Sequence, residues 1–266
     1  MPTVELFFRE YGCGEKVLVI LHGLLGSSQN WQRAAKTLGE KYRVLVVDQR
    51  NHGDSPHTPS HTFADLREDI RYFFDLQHLD TAYLLGHSMG GIAAMEFAFH
   101  YPERLSGLII EDIAPRAYTS SSGDILQALC AMNLGEMTSR HQADAWLAST
   151  IKSRQTRQFL LTNLVRLEDH SFAWKVNLPA LQQFQRERAA YQPPPSAPFT
   201  GQTLFIGGAL SDYRLDHDHE VILQHFPNSK LVMIPSAGHW IHFEALEPFT
   251  RTITRFIEHG LMAFNE

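Results

Sequence analysis

Gly86, Ser88 and Gly90 form a Gly-x-Ser-x-Gly pattern, a spacing that can present a serine hydroxyl as a nucleophile. A short apolar run at residues 83–85 precedes it, and residues 92–98 follow with the apolar spacing of a helix. Between a strand and a helix, the glycines allow close backbone approach, and the serine can adopt a strained, exposed conformation. The pattern therefore predicts a nucleophile elbow in which Ser88 is the catalytic nucleophile.

A serine nucleophile needs a general base, and His239 is the histidine whose position suits this role best. The chain contains 15 histidines, but His239 comes late, directly behind Gly238 and just after the last predicted strand. A loop at that place can reach the serine, as the base of a catalytic triad must. We expect His22 and His87 to orient neighbouring loops, and His242 to be a bystander.

Two backbone amides are candidates for binding the negative charge that develops on the substrate oxygen. The amide of Met89 comes directly after the serine. The amide of Leu24 lies in the predicted turn at residues 22–26, which follows an apolar strand and contains two glycines. We predict that Leu24 and Met89 form the oxyanion hole.

The elements that must position these residues alternate between strand and helix. Continuous apolar runs at residues 17–21 and 44–47 are typical of strands that helices cover on both faces, and residues 105–110 are predicted as another strand. Residues 63–76 carry the apolar stripe of an amphipathic helix. Repeated units of this kind predict the α/β class, with a mostly parallel central sheet and helices on both faces.

The strand–helix alternation stops in the middle of the chain. We predict a core formed by residues 1–113 and 198–266, with a helical cap insertion at residues 114–197 that roofs the pocket and excludes water. We expect no buried strand within the insertion before residue 191, and a stiff proline-rich linker at its end. Its predicted helices are at residues 124–132, 136–151, 156–167 and 178–191. Its aromatic candidates for an acyl pocket are Tyr118, Trp146, Phe159, Phe172 and Trp174.

Four segments together resemble the serine-esterase branch of the α/β-hydrolases, and the resemblance extends over nearly the whole chain. They are Leu-His-Gly-Leu at residues 21–24, Asp-Gln-Arg-Asn-His-Gly-Asp-Ser at 48–55, Gly-His-Ser-Met-Gly-Gly at 86–91 and Ala-Gly-His at 237–239. The resemblance implies the α/β-hydrolase fold and a triad of serine, histidine and acid. The segment at 48–55 resembles a turn that braces the rim of the site, so we assign no chemistry to Asp48 or Arg50.

Two aspartates compete for the acid of the triad. Many α/β-hydrolases carry it in a Gly-x-x-Asp arrangement after the strand that follows the insertion, but here Ser211 takes that place and Asp212 comes one residue later. The alternative is Asp112, in the Glu-Asp-Ile-Ala-Pro segment at 111–115. That segment resembles the small bacterial esterases of the YbfF type and the related mammalian abhydrolase-domain-11 proteins. On this resemblance we favour Asp112, which would fix the tautomer of His239 and stabilise its imidazolium.

These residues predict a serine carboxylesterase that hydrolyses small or acyl esters through an acyl-enzyme, with no metal or organic cofactor. The same framework also serves acyl thioesterases, lactonases, carbon–carbon bond hydrolases and cofactor-free haloperoxidases, all of which are compatible with Ser88. A dehalogenase or an epoxide hydrolase is disfavoured, because resemblance to those enzymes would require aspartate at this position. A non-catalytic ligand receptor is a further alternative, which the Ser88 and His239 pair disfavours.

Composition narrows the class of protein. The chain has 266 residues, 44% of them hydrophobic, and a formal net charge of -6, which indicates an ordinary globular protein and argues against nucleic-acid or anionic-membrane partners. Its two cysteines, Cys13 and Cys130, suit a reducing compartment, and the first residues lack the pattern of a signal peptide. We therefore expect a soluble cytoplasmic protein whose partner is a small-molecule ester or thioester. The aromatic-rich insertion could also form a homodimer contact.

Overall fold

The predicted sheet is present in the computed structural model, which describes residues 2–118, 122–194 and 198–264. The strands are β1 (Phe8–Tyr11), β2 (Val17–Leu21), β3 (Arg43–Val47), β4 (Ala82–His87), β5 (Leu105–Glu111), β6 (Leu164–Arg166), β7 (Phe172–Trp174), β8 (Thr203–Gly208) and β9 (Ser229–Ile234). Seven of them form one sheet in the order β1-β3-β2-β4-β5-β8-β9. The β1–β3 pair is antiparallel and the other pairs in this sheet are parallel, which confirms the expected architecture.

Helices cover both faces of the sheet, and further helices lie in the segment between β5 and β8. They are α1 (Gln32–Leu38), α2 (Phe63–Leu76), α3 (Met89–His100), α4 (Ser122–Ala131), α5 (Arg140–Leu147), α6 (Arg154–Leu161), α7 (Leu178–Ala189), α8 (His219–His225), α9 (Ile241–Glu244) and α10 (Leu246–His259). Val19 and Leu21 of β2 belong to a core cluster with residues of α2 and α3. Leu18 and Ile20 belong to a second cluster with residues of α1 and α10. Each face of β2 is therefore buried, which explains its continuous apolar sequence.

The chain between β5 and β8 contains the expected helices and also a hairpin that the sequence did not predict. Strands β6 and β7 pair antiparallel in a two-stranded sheet, so α6 ends at Leu161 instead of continuing to residue 167. Each of these strands has three residues, which is too short for a readable period of two. Helix α5 begins at Arg140, because the Ser139 side chain accepts a hydrogen bond from the Gln142 amide at 3.2 Å and caps it there.

Part of the predicted division into core and cap falls outside the described residues. The proposed end of the insertion at residue 197 lies there, as does part of the proline-rich linker. The described part of the insertion has its own core cluster, which includes Leu129, Leu147 and Leu181. A separate cap domain stays a prediction. No helix within the described ranges is both long enough and apolar enough to cross a membrane.

The turn at residues 48–55 is held by buried polar contacts. The Asp48 carboxylate accepts hydrogen bonds from the amides of Ser28 at 2.5 Å and Asp54 at 2.8 Å. The Arg50 guanidinium is buried and forms ion pairs with Asp65 at 3.2 Å and Asp69 at 2.5 Å. These contacts tie the turn to the first part of the chain and to α2, so they fit a structural role for this segment.

Four of the buried histidines have a lowered pKa: His22, His52, His61 and His87. Burial is the largest cause that lowers the pKa of each one, well below its ordinary value for His52 and His87 and to about 3 for His61. The folded protein therefore keeps these rings neutral at pH values where the unfolded chain protonates them.

The free energy of unfolding should consequently fall as the pH drops below the ordinary histidine pKa of 6.5. In that range the unfolded chain binds more protons, so the stability that the neutral rings provide is complete above pH 6.5 and is lost towards low pH. For His61 alone we expect a loss of about 1 kcal/mol between pH 7 and pH 5.5. Urea unfolding at several pH values measures the slope.

His61→Gln should make this slope shallower, whereas the same change at the exposed His141 should leave it unaltered. A stability that is flat from pH 7 to pH 5.5 would contradict the neutral state of the buried rings.

Candidate active site

Ser88 lies at the turn from β4 into α3 in a conformation that is unusual for a residue with a side chain. Its φ is 51° and its ψ is -116°, and its amide donates to the Glu111 carbonyl at 3.1 Å. The turn requires glycine at both flanking positions of the motif. A Cβ added to Gly86 would lie 2.2 Å from the Gly90 carbonyl oxygen, and one added to Gly90 would lie 2.6 Å from the Leu21 carbonyl oxygen. The backbone thus forms the sharp elbow that the motif predicts.

His239 pairs with a fully buried carboxylate. Its Nδ1 lies 2.7 Å from Oδ2 of Asp112, which directly follows β5 and has 0% exposure. Because a carboxylate accepts hydrogen bonds, this contact places the proton on Nδ1 and leaves Nε2 as an acceptor. That tautomer is the one a general base needs.

The Asp112 carboxylate receives two further hydrogen bonds, from the end of β8 and from the loop that follows it. The Gly208 amide donates to Oδ1 at 2.9 Å, and the Ser211 hydroxyl donates to Oδ2. A buried carboxylate is stable as an anion when several donors surround it. Ser211, which replaces the acid expected at this position in many α/β-hydrolases, therefore supports Asp112 directly.

Ser88 and His239 line one cavity of about 350 Å³, whose wall also includes Leu24, Ser211 and Asp212. Asp212 is exposed, and the carboxylate that contacts His239 is that of Asp112. The structure therefore places Ser88 and His239 at one cavity and pairs His239 with Asp112, whereas the exposed Asp212 has no such contact with His239 among the contacts of the described residues.

The proposed oxyanion residues flank the serine. Met89 begins α3 directly after Ser88. Leu24 lines the cavity, and a Cβ added to the preceding Gly23 would lie 3.3 Å from the Ser88 Cβ. The Gly23–Leu24 turn is held in place by a hydrogen bond from the Leu25 amide to His52 Nε2 at 3.2 Å. Both backbone amides thus come from segments close to the serine.

His22 and His87 contact loop backbone around the site. His87 Nε2 lies 2.9 Å from the His239 carbonyl oxygen, so the neutral ring donates there and supports the loop that carries the base. His22 Nδ1 contacts the Gly23 carbonyl at 2.8 Å, and its Nε2 accepts from the Gln49 amide at 3.0 Å. Both rings therefore make the loop contacts expected of them.

His242 makes more contacts than a bystander would. Its Nδ1 lies 2.9 Å from Oε1 of the buried Glu111, which also accepts from the His242 amide at 2.9 Å. Its ring stacks on Trp31 with a centroid separation of 4.0 Å. This network fixes the start of α9, which begins two residues after His239. The sequence gives no signal for it, because the partners are 131 residues apart.

In the described residues, His87, Glu111 and His242 form a group whose potential metal-ligand atoms lie within 4.8 Å of one another. In the structure, His87 Nε2 is directed at the His239 carbonyl and His242 Nδ1 at Glu111. These contacts occupy one nitrogen of each imidazole, so the arrangement forms a hydrogen-bond network around the loop of His239.

Two further residues of the cavity wall were not predicted from the sequence. The Tyr213 ring stacks on the His239 ring, with centroids 4.0 Å apart and planes 6° apart. Arg188 lines the same cavity from α7 and is 8% exposed. A tyrosine in a loop and an arginine in a polar helix carry no motif, so the fold is needed to place them.

Comparisons with known proteins identify the family of this chain. Residues 16–246 match the model of the family described as the alpha/beta hydrolase fold. The chain is 36% identical over 248 residues to the sn-1-specific diacylglycerol lipase ABHD11 of Mus musculus, covering 90% of this chain and 80% of that protein. It is 32% identical to the esterase YbfF of Escherichia coli, covering 90% and 92%. A solved structure named marine microorganism esterase superimposes with a TM-score of 0.91 at 36% identity, over 96% of this chain and all of that one. The chain therefore belongs to the α/β-hydrolase family, as its motifs indicated, and it is a hydrolase of ester bonds.

Proposed function

We propose that this protein is a serine carboxylesterase whose triad is Ser88, His239 and Asp112. The observation that carries the proposal is the 2.7 Å contact between His239 and the buried Asp112, in a cavity that Ser88 also lines. The strained φ of 51° at Ser88 supports it, because such conformations concentrate at functional sites.

The mechanism begins when His239 Nε2 takes the proton of the Ser88 hydroxyl as Oγ attacks the ester carbonyl. The amides of Leu24 and Met89 bind the resulting oxyanion, and Asp112 stabilises the imidazolium. His239 then gives the proton to the leaving alcohol. Water attacks the acyl-enzyme with the same histidine as base, which releases the acid and regenerates the serine.

The insertion forms part of the wall of the proposed site. Ile125 of α4 and Phe159 of α6 line the cavity of about 350 Å³ that contains Ser88, which we call the main cavity. A neighbouring cavity of about 700 Å³ shares Asn30, Phe159 and Trp240 with it. Of the aromatic residues proposed for an acyl pocket, Phe159 lines the main cavity. Phe172, Trp146 and Trp174 pack in the core of the insertion.

A p-nitrophenyl ester series from acetyl to dodecanoyl, combined with labelling by a fluorophosphonate probe, tests this proposal. We expect labelling and turnover, with the highest kcat/KM on short acyl chains, because the main cavity is near the small end of the range of about 300–1,000 Å³ for small-molecule sites. A peak at dodecanoyl would indicate that the acyl chain enters the neighbouring cavity. Thioester and lactone substrates in the same assay separate the alternative activities.

Labelling without turnover of any ester, thioester or lactone would contradict the proposal and favour a ligand receptor. The cytoplasmic location stays a prediction, which rests on the free thiols of Cys13 and Cys130. The homodimer also stays a prediction.

A further inference from the structure

Arg188 brings a buried positive charge to the wall of the active site. It lies in the last turn of α7 and is 8% exposed, and it lines the main cavity together with Ser88 and His239. A smaller cavity, of about 10 Å³ and distinct from the neighbouring one of about 700 Å³, is also lined by Ser88, Met89 and Arg188. Arg188 and Ser88 therefore line two cavities in common.

The Arg188 side chain is buried and contacts the Tyr213 side chain. Burial is the largest cause that lowers the pKa of Arg188, and a hydrogen bond with the Tyr213 side chain opposes this effect. An arginine stays protonated in proteins, so Arg188 carries a positive charge. Because the side chain is buried, water has little access to that charge. Tyr213 also stacks on His239, so the same side chain contacts both the general base and the buried cation.

Burying a cation is costly, and an anion that binds beside it recovers part of that cost through a strong, charge-assisted hydrogen bond. Arginine suits a carboxylate in particular, because its planar N–H groups match the two oxygens. A cation retained at the wall of an esterase cavity is thus suited to recognise a substrate anion.

We propose that Arg188 forms an anion-binding subsite that selects esters carrying a carboxylate close to the scissile bond. This inference rests on the proposed function, because it assigns a substrate class to the same site. The carboxylate could belong to the acyl group or to the leaving alcohol, and both positions present the same chemistry to the guanidinium.

The other charges that face the two cavities are consistent with this assignment. Arg116 lines the smaller cavity and is ion-paired with Asp218 at 2.7 Å. Asp212 and Glu244 line the main cavity but are exposed to solvent. Water screens exposed carboxylates strongly, whereas the field of a buried cation is weakened much less.

Matched substrate pairs test the proposal. On the acyl side, p-nitrophenyl hemisuccinate differs from p-nitrophenyl butyrate by a carboxylate in place of the terminal methyl group. On the alcohol side, O-acetyl-lactate differs from isopropyl acetate in the same way. The ratio of kcat/KM within each pair measures selectivity for the anion, and the pair with the higher ratio locates the carboxylate.

We expect Arg188→Gln to lower kcat/KM for the preferred anionic ester by about 10- to 100-fold, mainly through KM. The neutral ester of the pair should lose clearly less than the anionic one, because its bound state does not use the guanidinium. Arg188→Lys should keep part of the selectivity. Arg186→Gln, which removes an exposed arginine from the same helix, should leave both esters unchanged.

An equal loss on both members of each pair would overturn the proposal, since it would indicate a structural role for Arg188. Calorimetric titration with succinate gives a readout that does not need turnover, and binding to the wild type that Arg188→Gln loses and Arg188→Lys partly retains would support the subsite. No binding to a folded wild type would overturn it. If the protein hydrolysed no ester but bound succinate through Arg188, the subsite would stand and the proposed esterase function would fail.

Discussion

Replacing Ser88 by alanine is expected to lower kcat on p-nitrophenyl esters by about 10⁶-fold, the loss that follows when a triad nucleophile is removed. The change deletes the hydroxyl that attacks the carbonyl. It leaves the elbow intact, because alanine meets the same steric cost as serine at a φ of 51°. Steady-state kinetics and fluorophosphonate labelling of the variant measure the effect.

Ser211→Ala is the matched control, since this serine lines the same cavity and contacts Asp112. It should turn over more slowly but keep its fluorophosphonate label, because the nucleophile is still present. A Ser88→Ala variant that was labelled and active at a few per cent of the wild type would place the nucleophile elsewhere.

The parts of the site that the sequence could predict are local in the chain. The elbow at Ser88 needs only a strand, two glycines and a helix, all within about a dozen residues, and each leaves a pattern. The helix predicted at residues 63–76 matches α2 for the same reason. Its apolar stripe is strong, and the Thr62 hydroxyl oxygen caps its start by accepting a hydrogen bond from the Asp65 amide at 3.0 Å.

The meeting of Asp112 with His239 is of another kind. These residues are 127 positions apart, and no spacing rule connects them. They meet because β5, β8 and β9 are neighbours in a parallel sheet, so the loops at their carboxyl ends lie side by side. The resemblance to YbfF-type esterases indicated this pairing, whereas the residues alone left Asp212 open.

Two adjacent acids at the end of β5 contact two different histidines. Glu111, the last residue of β5, contacts His242, and Asp112, which follows the strand, contacts His239. The two acids were readable from the sequence, but the identity of the second partner was not. The same limit applies to Arg188, whose place on the cavity wall depends on how α7 packs above the sheet.

Asp112→Asn should lower kcat by about 10⁴-fold while the protein stays folded. The Gly208 amide donates to Oδ1, so an asparagine at this position is expected to keep its carbonyl oxygen there. Its NH₂ group would then occupy the position of Oδ2 and donate to His239 Nδ1. This contact moves the histidine proton to Nε2, and the base can no longer accept the proton of Ser88.

Asp212→Asn is the matched control. This exposed aspartate lines the cavity that contains Ser88, and the substitution removes one negative charge, as Asp112→Asn does. We expect its kcat to stay within about 2-fold of the wild type, since a surface charge contributes little. The two variants compared at one pH, with their unfolding midpoints, separate the candidates for the acid. A large loss at Asp212 with normal turnover at Asp112 would require the loop after β8 to swing Asp212 onto His239, and Ser211 would then lose its carboxylate partner.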